Sequence, residues 1–451
     1  MKLTFHGGAG AVTGANYLLE TAESKILIDC GLRQGGRLCE KQNYEPFGYD
    51  VSSIDALFIT HAHIDHVGRA PRLYKNGFKG KVFSTPPTKE FAEELLRDSQ
   101  DILSREARRD GKEPLYSDED IDGLLELWKT NGYHKQILVK DIKVTFYDAG
   151  HILGSSFILI EAEGKRIIFS GDLGNVPAPM LKDTEEISGA DYVVIESAYG
   201  GRIHEDLEER KHILEDVIEK TAKRGGVLMI PAFAMERTQQ VLHELNGLVE
   251  NGRIPQIPIF LDSPLAIKLT SVYQRYTGNP EYMDKKSIEL FKAGDAILKF
   301  PGLKFTLKTE ESREIHNVSG PKIIIAGSGM SNGGRITHHE VRYLPDEENT
   351  LLIVGYQAEG TLGRQLIDGA KQVTINGQNV PVRAQIKAIG GYSSHADQNG
   401  LLAWLRPVRD TLNNVFIVQG DEDQSELLGH AIRDKLAIQA TVPKISESVE
   451  L

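Results

Sequence analysis

Through its first two hundred residues the chain alternates short apolar runs with polar, glycine-rich turns. These runs predict strands at 17–19, 25–28, 56–60 and 81–84, then at 143–147, 157–162, 166–170 and 192–196. Between them, charge-rich helical periodicity covers about 88–109 and again 117–130. Many short strands, with polar residues gathered at their ends and few long helices, predict a sheet sandwich flanked by helices.

After about Gly201 the pattern changes. An amphipathic helix over 207–224 leads to a strand at 227–230, a helix at 238–250 and a strand at 258–261. Strands at 322–326 and 350–354 continue the alternation, which implies βαβ units and a parallel sheet. From Gln372 the chain returns to short strands, with a helix starting at 398–405. The expected organisation is a first domain over 1–206, an inserted domain over 207–370 and a return to the first domain over 371–451. The tail at 441–451 carries apolar residues and is expected either to fray or to join a homodimer contact.

Composition narrows the setting. A chain of 451 residues exceeds what one core usually fills, so two cores are expected. No apolar run approaches the length of a bilayer crossing, and the start lacks a signal-peptide core, so no membrane association is expected. The two cysteines, Cys30 and Cys39, are too few for a disulfide framework in so long a chain and point to a reducing cytoplasm. The formal net charge of −12 excludes a generally basic surface for nucleic acid. Any polyanion must be held by a local basic cleft or by metal ions, and the basic run at 105–109 reads as a solvated helix face.

The chemistry concentrates at strand ends. The predicted strand 56–60 delivers His61-Ala62-His63-Ile64-Asp65-His66. Residues two apart on extended chain point the same way, so His61 and His63 suit one ion, while Asp65 and His66 suit a neighbour. Imidazole and carboxylate ligands without thiolate favour zinc, with manganese or iron as alternatives. His151, in Asp148-Ala149-Gly150-His151-Ile152-Leu153-Gly154, and Asp172, in Ser170-Gly171-Asp172, supply further ligands. One carboxylate can bridge two ions at the spacing of about 3.5–4 Å used in two-metal hydrolysis.

These three segments resemble, in order and spacing, the successive motifs of the metallo-β-lactamase superfamily. The resemblance implies an αββα sandwich with His61, His63 and His151 on one ion, Asp65 and His66 on the other, and Asp172 bridging. Two zinc ions are the implied cofactor, with Asp65 also catalytic. Asp29 resembles the family's early aspartate, a buried partner of the metal loops. Later segments are similar to the β-CASP nucleases: Ile195-Glu196-Ser197-Ala198-Tyr199-Gly200, Pro231-Ala232-Phe233-Ala234, Asp262-Ser263-Pro264-Leu265-Ala266 and Ser393-Ser394-His395-Ala396-Asp397. That branch includes the endonuclease of messenger-RNA 3′-end processing. It implies an inserted, mostly parallel α/β domain covering the site and a ribonuclease cutting single-stranded RNA, endonucleolytically and with 5′-exonuclease activity as a further expectation. Glu196 is then expected to orient His395 as general acid. Ser394, with Gly329 and Arg335 of the glycine loop 327–335, is expected to contact substrate phosphate.

One position departs from the family. Where its members carry a histidine as the last ligand of the second ion, this chain has Gln419 in Val418-Gln419-Gly420-Asp421-Glu422. An amide oxygen is a neutral, weaker ligand, so Gln419 is expected to bind weakly or not at all, with a weakened second site. A catalytically impaired RNA- or protein-binding scaffold and a hydrolase of small esters are the competing readings.

Overall fold

The computed structural model describes residues 1–35, 37–204, 207–389 and 393–451. The chain divides into two compact units, Met1–Ile203 with His395–Leu451, and His204–Ser394.

Among the described residues the first unit contains two seven-stranded sheets. One runs in the order Ser448–Glu450, Lys2–Gly7, Asn16–Glu20, Lys25–Ile28, Ala56–Phe58, Lys81–Ser84 and Trp128–Thr130. The second runs Ala440–Thr441, Asn414–Val418, Tyr192–Glu196, Lys165–Phe169, Ser156–Ala162, Ile142–Asp148 and Ile137–Val139. Aromatic side chains join the inner faces, with Phe5 on Phe416, Tyr17 on Phe169 and Phe58 on Phe146 at ring separations of 5.6, 5.9 and 6.2 Å. Each such ring removed from water contributes about 1.5–3 kcal/mol, and the central strands are buried on both faces.

Helices cover both outer faces. Pro86–Arg109 begins at Thr85, whose hydroxyl accepts from the Thr88 N–H, and buries Phe91, Ala92, Leu95 and Leu96. Asp118–Leu127 opens on a capping box between Ser117 and Asp120. On the other side Gln398–Leu405 and Glu422–Leu436 bury Leu401, Leu405, Leu428 and Ile432 against the second sheet. The sandwich expected from the strand pattern is therefore present.

Two local expectations are revised. The helix read through 117–130 stops at Leu127, and Trp128–Thr130 forms an edge strand parallel to Lys81–Ser84. The Trp128 indole N–H donates to Ser84 Oγ at 2.9 Å, so a tertiary contact overrides the helical period. The tail does not fray, because Ser448–Glu450 pairs antiparallel with Lys2–Gly7 at the edge of the first sheet.

The second unit is built on a parallel six-stranded sheet, ordered Leu303–Phe305, Ile259–Leu261, Lys322–Ala326, Val227–Pro231, Thr350–Ile353 and Gln385–Ala388. Its central strands are apolar on both faces, as a sheet covered by helices on each side requires. Since Gln385–Ala388 pairs with Thr350–Ile353, the chain beyond 370 continues this sheet. The expected boundary between 206 and 207 falls beside Glu205 and Asp206, outside the described residues.

Candidate metal centre

All of the site's strands in the first unit end at one rim. Ala56–Phe58 leads into His61, the hairpin of Ile142–Asp148 and Ser156–Ala162 carries His151, Lys165–Phe169 leads into Asp172, and Asn414–Val418 leads into Gln419. The histidine loop is pinned through its own backbone. The carbonyls of Ile64, Asp65 and His66 accept from the N–H groups of Leu32, Ala15 and Cys30 at 2.9, 2.9 and 2.7 Å. In the His151 loop, the Ser155 hydroxyl accepts from the His151 and Ile152 N–H groups, and the Thr85 and Thr88 hydroxyls donate to Gly154 O.

Four ligand atoms converge. His61 Nε2 and His63 Nδ1 are 3.0 Å apart, and His151 Nε2 lies 3.2 Å from His63 Nδ1. Asp172 Oδ2 stands 3.4 Å from His61 Nε2 and 3.6 Å from His151 Nε2. A tetrahedral ion with bonds of about 2.0–2.1 Å has ligand–ligand edges of about 3.3 Å. The observed separations match that cage, so the residues present fit a divalent ion. Burial and the neighbouring imidazoles push His61, His63 and His151 toward the neutral, lone-pair-bearing form. Against the upward push of burial, His66 and His61 hold Asp172 well below the usual carboxylate range.

A second half lies alongside. Asp172 Oδ1 is 3.3 Å from His66 Nε2, so this one carboxylate faces both halves. Asp65 Oδ2 is 4.0 Å from the same nitrogen, and burial raises the Asp65 pKa, with His66 opposing. The Gln419 amide sits 2.7 Å from His66 Nε2.

Behind the ligands stands a relay centred on Asp29. Its carboxylate accepts from the Thr60 N–H at 2.8 Å, the Thr60 hydroxyl at 2.8 Å and His66 Nδ1–H at 2.7 Å. Thr60 Oγ1 in turn accepts from His61 Nδ1–H at 3.0 Å. One buried aspartate thereby sets the tautomer of both His61 and His66. Thr60 was not singled out from sequence, although its place directly before His61 at the strand end was the available signal. Tyr17 was also missed, and its fully buried hydroxyl meets Gln419 Oε1 at 3.4 Å.

Glu196, at the end of Tyr192–Glu196, lies 3.1 Å from His395 Nδ1, and its other oxygen accepts from the Leu173 N–H at 2.6 Å. An isolated bridge between Gly174 and His395 places the histidine beside the Asp172 loop, 3.9 Å from Asp172 Oδ2. Burial pushes the His395 imidazolium down, but Glu196 and Asp172 carry its pKa up to about 9. His395 and Asp65 are 27% and 19% exposed on their side chains and His63 is partly exposed, while His61, His66, His151 and Asp172 are buried, so these three line the opening.

The residues expected to bind phosphate are placed differently. Arg335 directs its guanidinium inward, donating to Asp262 Oδ1 and Thr306 O at 2.8 and 2.7 Å and to Leu307 O at 2.8 Å. A buried carboxylate in the second unit, not an open anion site, explains that arginine. A Cβ on Gly329 would meet the Phe233 ring at 2.6 Å, so this glycine answers a packing need. Ser394 directly precedes His395, next to Gly390–Tyr392, which lie outside the described residues.

Comparison with known proteins gives three family matches along the chain. Residues 9–192 match the metallo-beta-lactamase superfamily, 238–366 the Beta-Casp domain, and 379–443 a Zn-dependent metallo-hydrolase RNA specificity domain. A Thermus thermophilus protein named as a ribonuclease is 36% identical over 429 residues, covering 95% of each chain. An RNase J-like protein of Methanocaldococcus jannaschii is 32% identical, covering 98% of this chain and 97% of its own. The transcription termination factor FttA of Methanosarcina mazei is 31% identical over all of this chain and 72% of its own length. Among solved structures, an Enterococcus faecalis protein of unknown function shares the fold at a TM-score of 0.57 and 13% identity, covering 100% of this chain and 99% of its own.

Proposed function

Because the chain belongs to the metallo-beta-lactamase superfamily, in its Beta-Casp branch, we propose that its metal centre cleaves RNA phosphodiester bonds. It is a metal-dependent ribonuclease. The observation that carries this reading is the convergence of His61, His63, His151 and Asp172 at ion-cage distances beside the Glu196–His395 pair. A bound divalent ion supplies positive charge for the phosphoryl oxygens and lowers the pKa of water toward neutrality.

The finer reading assigns zinc, held first by His61, His63, His151 and Asp172, with Asp65 and His66 forming the weaker half toward Gln419. Single-stranded RNA is the substrate, cut internally. Water attacks phosphorus while the bond to the 3′-oxygen breaks. Asp65 takes the proton that the water loses, since its partly exposed carboxylate faces the opening. His395, held in its charged form by Glu196, gives its proton to the departing 3′-oxygen. The products are a 5′-phosphate and a 3′-hydroxyl.

Labelled single-stranded RNA and DNA, incubated with zinc or manganese, test this directly against an Asp65→Ala control. RNA cut internally by the wild type and left intact by the variant is the expected result. RNA bound without cleavage would instead support a scaffold, and turnover of small esters alone would support a different hydrolase.

A further inference from the structure

We infer that Gln419 closes the second half-site, so that the resting chain holds one divalent ion tightly and His66 serves as a hydrogen-bonded wall. The inference rests on the cage of His61, His63, His151 and Asp172 proposed above and revises the part given there to His66.

The geometry is a directional chain. His66 donates its Nδ1–H to Asp29 Oδ2 at 2.7 Å, which leaves Nε2 as the nitrogen that faces the ions. That nitrogen meets the Gln419 amide at 2.7 Å, a hydrogen-bond length well under the edge of about 3.3 Å expected between two ligands of one tetrahedral zinc. The far side of the amide meets the Tyr17 hydroxyl at 3.4 Å. With His66 neutral, the amide N–H donates to Nε2 and the Tyr17 O–H donates to Oε1. Turned over, the amide presents Oε1 to an Nε2–H and its N–H to the Tyr17 oxygen. Either way, the amide occupies Nε2, which also lies 3.3 Å from Asp172 Oδ1.

Gln419 is held where it must be for this. Its backbone takes φ +49°, its N–H donates to Gly8 O at 2.6 Å, and it is buried. A Cβ on Gly8 would come 3.1 Å from Gln419 Cγ and 2.5 Å from the Tyr17 oxygen, so the glycine leaves room for the pair. A histidine here would offer an imidazole lone pair to a second ion, whereas the amide offers a neutral oxygen only after breaking its contact with His66. The first cage takes no ligand from Gln419, and the two halves meet at Asp172.

Metal content settles the matter without reference to turnover. After zinc loading and dialysis against a weak chelator, the wild type is expected to retain about one ion per chain and Gln419→His about two. His66→Ala should leave the wild-type count unchanged but reduce Gln419→His to the wild-type value, while His63→Ala should empty the tight site. Manganese-loaded protein adds an independent readout. The wild type should give the electron paramagnetic signal of isolated ions, and Gln419→His the broadened signal of an exchange-coupled pair. Two ions in the wild type that fall to one in His66→Ala would overturn the inference. So would a folded Gln419→His that still holds one ion. Retention of metal by His63→Ala would instead remove the ligand set beneath it. RNA cleavage is scored separately, so a failed ribonuclease reading is distinguishable from a failed metal count.

Discussion

Glu196 Oε2 lies 3.1 Å from His395 Nδ1, while Glu196 Oε1 accepts the Leu173 N–H at 2.6 Å from the loop that carries Asp172. The same buried carboxylate thus orients a cationic histidine and ties it to the metal loop. A proton donor held this way matters most when the leaving group is poor. His395→Ala should therefore cut RNA cleavage by about 10²–10⁴-fold, and a nitrophenyl phosphodiester, whose leaving group needs no proton, far less. Equal losses on both substrates, measured by kcat, would show that His395 is not the acid.

The Asp29–Thr60–His61 relay makes a second prediction. Thr60 Oγ1 accepts from His61 Nδ1–H at 3.0 Å and donates to Asp29 Oδ2 at 2.8 Å. Thr60→Val keeps the shape and removes both bonds, so metal affinity should fall by about 10–100-fold with little change in fold. Competition with a coloured chelator measures it. Unchanged affinity would mean that His61 holds its orientation without the hydroxyl.

The residues that cluster here, His61, His63, His151 and Asp172, are legible because each sits in a short local signature at a strand end, where ligand-type chemistry and β geometry coincide. What stayed hidden was long-range pairing. Arg335 looked like a phosphate contact beside glycines, but its partner Asp262 is 73 residues away on a neighbouring strand's end. Gln419 was visible as a departure, yet its contact with His66 spans 353 positions and has no local trace. The period beginning at Ser117 reads Trp128 as helix, whereas its pairing with Val82 and its indole bond to Ser84 make it part of an edge strand. Local patterning thus reports elements and ligand types, while the choice between a charge that faces solvent and one that faces a buried partner is made in three dimensions.

Glu340 supplies a pH dependence in the second unit. It is fully buried, accepts from the Ser331 hydroxyl at 2.5 Å through Oε1, and among the described residues nothing hydrogen-bonds Oε2. Burial raises its pKa from 4.5 to about 8. Between those values the native chain keeps a proton that the unfolded chain has released, so stability falls as pH rises, by at most about 1.4 kcal/mol per pH unit. Glu340→Gln mimics the protonated acid and should flatten this slope. Denaturant titrations at pH 5 and pH 8 are expected to show the variant gaining on the wild type only at the higher pH. A constant difference at both would rule the linkage out.

Gly31 offers the sharpest test of how the histidine loop is held. A Cβ there would lie 1.5 Å from Asp65 O and 2.8 Å from His66 N, both backbone atoms that no side-chain rotation can move aside. The position does not require glycine's positive φ, so the constraint is close approach and not backbone conformation. Three loop carbonyls, those of Ile64, Asp65 and His66, are bound by the N–H groups of Leu32, Ala15 and Cys30 around this glycine. Gly31→Ala must therefore displace the segment that carries Asp65 and His66, and with it the His63 ligand just before them. The expected outcome is loss of bound metal and of RNA cleavage, with a lowered melting temperature for the first unit. Gly247→Ala is the matched control, since a Cβ there meets nothing within 4 Å inside the helix Arg237–Glu250. That change should leave metal content intact and add about 0.5–1 kcal/mol of stability. If Gly31→Ala kept its metal as Gly247→Ala does, the loop would have room that the close backbone contact denies, and the pinned loop could not be what aligns the ligands.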